Sequence, residues 1–161
     1  MAFTSDNLVD FFATQDTLTN GAGGSNSVVD AAFSIINATT GTSEWTNTDN
    51  SPSAAFVLQC QFATLPNDGS TISLHARKMN VQGTNDSPVP TAVNTDQFIG
   101  AFVVDGDVAT STDAFLVTNW LTLPNQYSSQ VYEFYLQNST GQTIAAGWEL
   151  YVTPVTKGAK A

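Results

Sequence analysis

His75 and Cys60 are the only histidine and the only cysteine in the chain. Any nucleophile activated by an imidazole must therefore use His75. It alternates with Ser73 and Arg77 on the polar side of an expected strand, and no G-x-S-x-G elbow accompanies it. Cys60 alternates with Phe56, Leu58 and Phe62, which reads as a small buried apolar side chain rather than a thiol nucleophile. One His and one Cys are too few for a zinc site. Asp105, Asp107 and Asp113 offer oxygen ligands, but the calcium-loop spacing with its closing Glu is absent. Turns with solvated carboxylates account for them, and for Asp49-Asn50 and Asn85-Asp86. Glu133 and Glu149 fall on the two strands of one expected hairpin, where paired carboxylates could run glycoside hydrolysis. Each, however, faces away from the apolar side of its strand, as outward solvated groups do. The expectation is no catalytic residue, no metal site and no cofactor.

The exposed-aromatic signal is more open. Trp45, Trp120, Tyr127 and Tyr151 could stack on sugars or fill a protein interface, although core packing claims most aromatics in a β-protein. Trp45 stands in a polar loop, where it either plugs a core edge or faces a partner. The sequons at Asn37, Asn85 and Asn138 are what a chain rich in Asn and Thr produces by chance.

The elements that carry these residues are strands. Around the turn at 138–141, Tyr132, Phe134 and Leu136 share one face, and Ile144, Ala146, Trp148, Leu150 and Val152 share another. That period of two predicts a hairpin over 129–154. Phe56, Leu58, Cys60 and Phe62, then Ile72, Leu74 and Ala76, flank the turn Pro66-Asn67-Asp68-Gly69 and predict a second hairpin. Further strands are expected over 98–104 and 114–121. Residues 27–36 fit a helix through Val28, Ala32 and Ile35, or a strand through Val29, Ala31, Phe33 and Ile35; β-branched content favours the strand. Long loops occupy 37–52 and 80–97. Seven or eight strands with little helix predict an all-β antiparallel sandwich, jelly-roll-like, with an Ig-like arrangement as the alternative. The long loops favour the jelly roll.

Leu8, Val9, Phe11 and Phe12 form an apolar cluster followed by the Gly-, Ser- and Asn-rich stretch TLTNGAGGSN. This cluster reads as a short helix, a strand or an arm that docks on a neighbour. The division expected is an N-terminal arm and linker over 1–26, a sandwich over 27–156 and a frayed tail over 157–161.

Composition limits the function classes. Charged residues are 11% of the chain, less than half the usual ~25%, so the polar surface must come from Thr, Ser, Asn and Gln. Net charge is −10 with four Lys and Arg in all. Neither nucleic-acid phosphates nor an anionic membrane surface would find its row of cations here. The stretch MAFTSDNLVDFF lacks the basic and apolar regions of a signal peptide, and no run approaches the roughly 20 apolar residues of a membrane span. Synthesis in a cytoplasm is the expectation.

The segments SEWTNTDNSPSAAFVL, ARKMNVQGTNDSPVP and VYEFYLQNSTGQTIAAGWEL, within residues 40–155, resemble small virion proteins of tailed bacteriophages, in particular capsid decoration (cement) proteins. The resemblance implies a β-sandwich subunit on the outer capsid surface, self-association as a dimer or trimer, contact with the major capsid protein across subunit seams, and no catalysis. The residues expected to meet partners are Leu8, Val9, Phe11, Phe12, Trp45, Val81, Asn85 and Val89. A carbohydrate-binding module for host-surface glycans is the alternative, marked by a planar row of exposed aromatics that includes Trp45 and Trp120. A tail or baseplate subunit is a further one.

Overall fold

A computed structural model of the chain describes residues 8–18, 27–35, 44–94, 97–105, 114–118 and 120–159. The described strands are β1 (Leu8–Phe12), β2 (Asp16–Thr17), β3 (Phe33–Ile35), β4 (Glu44–Thr46), β5 (Ser53–Cys60), β6 (Thr71–Lys78), β7 (Phe98–Val103), β8 (Ala114–Val117), β9 (Leu121–Thr122), β10 (Val131–Ser139) and β11 (Glu149–Ala159). No helix long and apolar enough to cross a membrane occurs among the described residues.

Three pairs of short strands act as single broken strands. β1 and β2 both pair with β11, β3 and β4 both pair with β10, and β8 and β9 both pair with β5. Counted that way there are eight strands in two antiparallel sheets. The first runs β1/β2, β11, β5, β8/β9; the second runs β3/β4, β10, β6, β7. In chain order the first effective strand pairs with the eighth, the second with the seventh, the third with the sixth and the fourth with the fifth. A long hairpin rolled up on itself gives this order, and it is the double-sheet jelly roll. The all-β sandwich is therefore the observed fold, with jelly-roll rather than Ig-like connectivity.

The two expected hairpins are different. β5 lies in the first sheet and β6 in the second; β10 lies in the second and β11 in the first. Each pair faces across the core instead of lying side by side. Alternation reports which face of a strand is apolar, and two strands facing each other across a core satisfy it as well as two neighbours do. The connections over 61–70 and 140–148 are also longer than the tight two-residue turns that join neighbouring strands. Within the second, Ile144 makes isolated bridges to both Val28 and Phe62.

Between the sheets, Phe56, Leu58 and Cys60 of β5 meet Phe134 and Leu136 of β10, all buried. The rings of Phe56 and Phe134 pack edge to face at 5.3 Å, and each buried aromatic of this kind contributes about 1.5–3 kcal/mol. Trp45 closes one end of the core, 7% exposed, over Tyr132 at 5.9 Å. Its Nε1–H donates to Asp16 Oδ2 at 2.9 Å, which ties β4 of one sheet to β2 of the other. Of the two roles open to Trp45, the core plug is the one adopted. A Cβ on Gly100 would meet Leu121 Cδ1 at 2.5 Å, so the missing side chain lets β7 approach β9 closely.

Two segment boundaries differ from expectation. Residues 157–159, read as a frayed tail, continue β11, with Lys157 opposite Asp10 and Gly158 opposite Val9. The Phe11 ring lies against Gly158, at the place where a Cβ would sit, and an aromatic over a strand glycine fixes register. Residues 8–12, read as part of an arm, are the edge strand that this tail covers. Residues 1–7, 19–26 and 160–161 lie outside the described residues. In 27–36, Val28 is buried while Val29 is exposed, and Ala31 has φ 61°. A turn anchored by Asp30 Oδ1, which accepts the Gly141 N–H at 2.8 Å, splits the expected strand.

Candidate functional site

The reactive side chains converge in one place, the outer surface of the second sheet. Strand alternation sends Ser73, His75 and Arg77 of β6 and Glu133, Tyr135 and Gln137 of β10 to that surface, and register sets Arg77 opposite Glu133 and His75 opposite Tyr135. Expectation placed His75 and Glu133 in solvent. They are 1% and 8% exposed. Rings from the flanking strands of the same sheet cover His75: the Phe33 ring of β3 lies 5.3 Å from the His75 ring and Phe98 of β7 lies 5.8 Å from it. Asp86 and Ser87 of the 80–94 loop lie against Arg77.

Arg77 organises this patch. Its Nη1–H donates to Glu133 Oε2 at 2.5 Å, its Nε–H to the Ser87 carbonyl at 2.7 Å, and Nη2 lies 3.7 Å from Asp86 Oδ2. Burial alone would lower its pKa, but the hydrogen bond and charge of Glu133 outweigh that and hold it above its ordinary value. Burial, reinforced by Glu133, pushes the Tyr135 phenol up to about 12, so it stays protonated and donates to Glu133 Oε2 at 3.2 Å. A carboxylate taken up by Arg and Tyr is a structural acceptor rather than a free base. The Asp86 Oδ1 in turn accepts the Asn80 N–H at 2.9 Å, and Gln97 Nε2 donates to the Pro88 carbonyl. These bonds clamp the long loop to the sheet.

Neither ring nitrogen of His75 has a partner at hydrogen-bonding geometry. Burial lowers its pKa, with neighbouring Gln137 pulling weakly the other way. The imidazole is therefore neutral in the fold, whereas the unfolded chain titrates near 6.5. Between that value and the lowered folded one, the unfolded state holds the extra proton, so stability falls as pH falls, by at most about 1.4 kcal/mol per pH unit. Urea unfolding at pH 7.5 and 5.5 is expected to show a larger loss for wild type than for His75→Phe. Equal losses in the two proteins would refute the assignment.

The pairings considered for catalysis do not form. Cys60 points into the core from β5, while His75 lies beyond the second sheet. Glu149, on β11, lies in the other sheet from Glu133, and its Oε2 accepts from Tyr151 Oη. Among the described residues no group of three or more His, Cys, Asp or Glu could hold a metal ion. Asp107 and Asp113 lie outside the described residues, as does Asn37. Asn85 is exposed, and Asn138 is wholly buried.

Of the residues expected to meet partners, Phe11, Phe12 and Val89 are exposed, Asn85 is exposed in a Gln82–Asn85 bridge, Val9 and Val81 are half-buried, and Leu8 pairs with Ala159. Trp45 is in the core. Trp120 packs edge-on against Phe12 at 5.6 Å, so the planar Trp45–Trp120 row is not formed. Sequence reasoning named Tyr127 among the exposed aromatics but not the polar corner around it, where Asn50, Asn125, Gln126, Tyr127 and Ser128 line an open depression. Its signal was the run Pro124-Asn125-Gln126-Tyr127, an amide-rich turn with an aromatic in it.

No protein-family model matches the sequence, and no curated protein matches it. A solved structure titled Desmodium yellow mottle tymovirus aligns over 95% of this chain and 87% of its own, at 10% identity and a TM-score of 0.35. A likeness this distant transfers nothing from that protein to this one.

Proposed function

We propose that the chain is a structural subunit of a virion, one that decorates a tailed-phage capsid and stabilises it by binding the major capsid protein across subunit seams. The observation that carries the reading is where large apolar side chains are left in solvent. Phe11 and Phe12 on β1, Phe98 and Val103 on β7, and Phe115 and Val117 on β8 are all about half exposed or more. They lie on strands at the edges of the two sheets. Charged residues make up only 11% of the whole chain. Apolar groups on a weakly charged surface favour packing against neighbours. The sequence resemblance to decoration proteins supports the same reading.

Contacts are assigned to Leu8, Val9, Phe11 and Phe12 and to Val81, Asn85 and Val89 of the clamped loop. Self-association as a dimer or trimer would let several modest contacts act together. The test is native mass together with co-sedimentation on phage heads that lack the protein. A dimer or trimer that saturates the heads and raises their heat tolerance is expected. Replacing exposed Phe12 and Val89 together by Ser should weaken binding about tenfold or more, about 1.4 kcal/mol. A monomer that stays in the supernatant would sink the proposal.

A further inference from the structure

The depression over Asn50, Asn125, Gln126, Tyr127 and Ser128 measures about 380 Å³, near the lower end of the roughly 300–1,000 Å³ of small-molecule sites. It lies where the turn before β5 meets the connection from β9 to β10. Its walls are fixed from behind. Asn47 Nδ2 donates to the Ser51 carbonyl at 2.8 Å and to Asn125 Oδ1 at 3.2 Å. Asn125 Nδ2 donates to the same carbonyl at 2.9 Å, and Tyr132 Oη donates to Asn125 Oδ1. Across the corner, the Ser129 N–H donates to Asn50 Oδ1 at 2.6 Å. Both of those residues have left-handed backbones, φ 56° and 52°, a conformation that costs a non-glycine residue free energy and persists only where surroundings enforce it. The Tyr127 hydroxyl donates to the Met79 carbonyl at 2.8 Å, which pins a ring that is 39% exposed.

On this fixed frame two side chains are uncommitted. Gln126 and Ser128 make no side-chain hydrogen bond among the described residues, and both are exposed. The lining contains an aromatic ring, three amides and a hydroxyl, and no charged group. An amide offers a donor and an acceptor side by side, which suits a hydroxyl that must both give and receive. A ring held in place suits the C–H face of a sugar and loses little rotamer freedom on binding. A charged ligand would find no counter-charge in the lining, and an anion would meet a chain of net charge −10.

We propose that this depression binds a neutral saccharide, a mono- or disaccharide unit stacked on Tyr127 with its hydroxyls on Gln126 and Ser128. The inference is independent of capsid binding, which is assigned to other residues. The test is saturation-transfer NMR and titration of the full chain with methyl glycosides of glucose, galactose, mannose, N-acetylglucosamine and N-acetylgalactosamine, the corresponding neutral disaccharides, and sialyllactose. At least one neutral sugar is expected to saturate by about 10 mM, the weak end of the affinity scale. Tyr127→Ala should lower its affinity about tenfold or more, and Gln126→Ala about threefold. Gln126→Ala removes no internal bond and should leave the melting temperature unchanged, so it carries the test alone should the Tyr127 variant unfold. Absence of saturation by every neutral sugar, binding of sialyllactose only, or undiminished affinity in both variants would overturn the proposal.

Discussion

Arg77→Met is expected to destabilise the protein by about 3 kcal/mol, the lower end of the range for stripping one partner from a buried ion pair. The lower end applies because the Arg77 and Glu133 side chains keep 16% and 10% of their surface in water. The loss has two parts. Glu133 stays buried on the sheet but loses the guanidinium 2.5 Å away. The 80–97 loop loses the bond from Arg77 Nε to the Ser87 carbonyl and the charge beside Asp86. Glu133→Leu in the Arg77→Met background should recover the part of the loss that comes from the unpaired charge, because two apolar side chains need no counter-charge, but not the loop bond or the acceptor of the Tyr135 hydroxyl. Urea denaturation of the two singles and the double measures the coupling. Amide exchange should show the backbone of 80–94 opening in Arg77→Met and in the double, since the loop bond is missing in both. Single-variant costs below about 1 kcal/mol would mean that the pair behaves as a surface ion pair, and the clamp would be discarded.

Asn138→Ala should cost about 2–4 kcal/mol, and Asn138→Asp more. The side chain is wholly buried and its four hydrogen-bonding positions are all taken. Nδ2 donates to the Val28 carbonyl at 2.8 Å and to the Gln142 carbonyl at 2.7 Å. Oδ1 accepts from the Thr140 N–H at 3.1 Å and from Thr140 Oγ1 at 2.8 Å. These bonds fix the exit of β10 and join it to the segment before β3. Alanine removes the set and leaves buried polar groups short of partners, at about 1–3 kcal/mol each. The cost is moderated because the Val28 carbonyl also accepts the Ile144 N–H and the single Thr140 hydroxyl hydrogen, released from Asn138 Oδ1, has the Gln142 carbonyl within reach at 3.0 Å. Aspartate is worse despite its shape, since it turns an acceptor toward two carbonyls and adds a buried charge. Thermal unfolding of the three proteins at one pH checks the order. An Asp variant as stable as the Ala variant would show that the amide's donors are not what the site requires.

The faces of the strands were legible from alternation because a sandwich buries one side of every strand. Phe56, Leu58 and Cys60, or Phe134 and Leu136, could hardly be placed otherwise. Lateral neighbours were not legible. For β5 and β6, and for β10 and β11, the alternating pattern is the same whether the strands pair or oppose, and only the length of the connections spoke against pairing. The candidate site was half legible. That His75, Arg77, Glu133 and Tyr135 face outward follows from position in the strand. That they are covered does not, because the cover comes from Phe33 on one strand and from Phe98 and the 80–94 loop on another, segments far apart in sequence that only the tertiary fold brings to the same patch. Lys157 and Gly158 misled for a related reason. Local composition reads as a loose end, while the partner that orders them, β1, is at the far end of the chain.

That last pairing sets the order in which the molecule can be completed during synthesis. β11 lies between β1 and β5, and no other described strand joins those two. At ribosomal rates of about 5–20 residues per second, β1 waits on the order of 10–30 s before its neighbour exists. The second sheet has all its strands once residue 139 has been made, whereas the first remains two unconnected halves. If β5, β8 and β9 pair as they emerge, β11 joins the two halves as one strand placed between β1 and β5. Until β11 is made, the backbone edges of β1 and β5 that it joins lack that partner, and unpaired strand edges of this kind are open to rival strands.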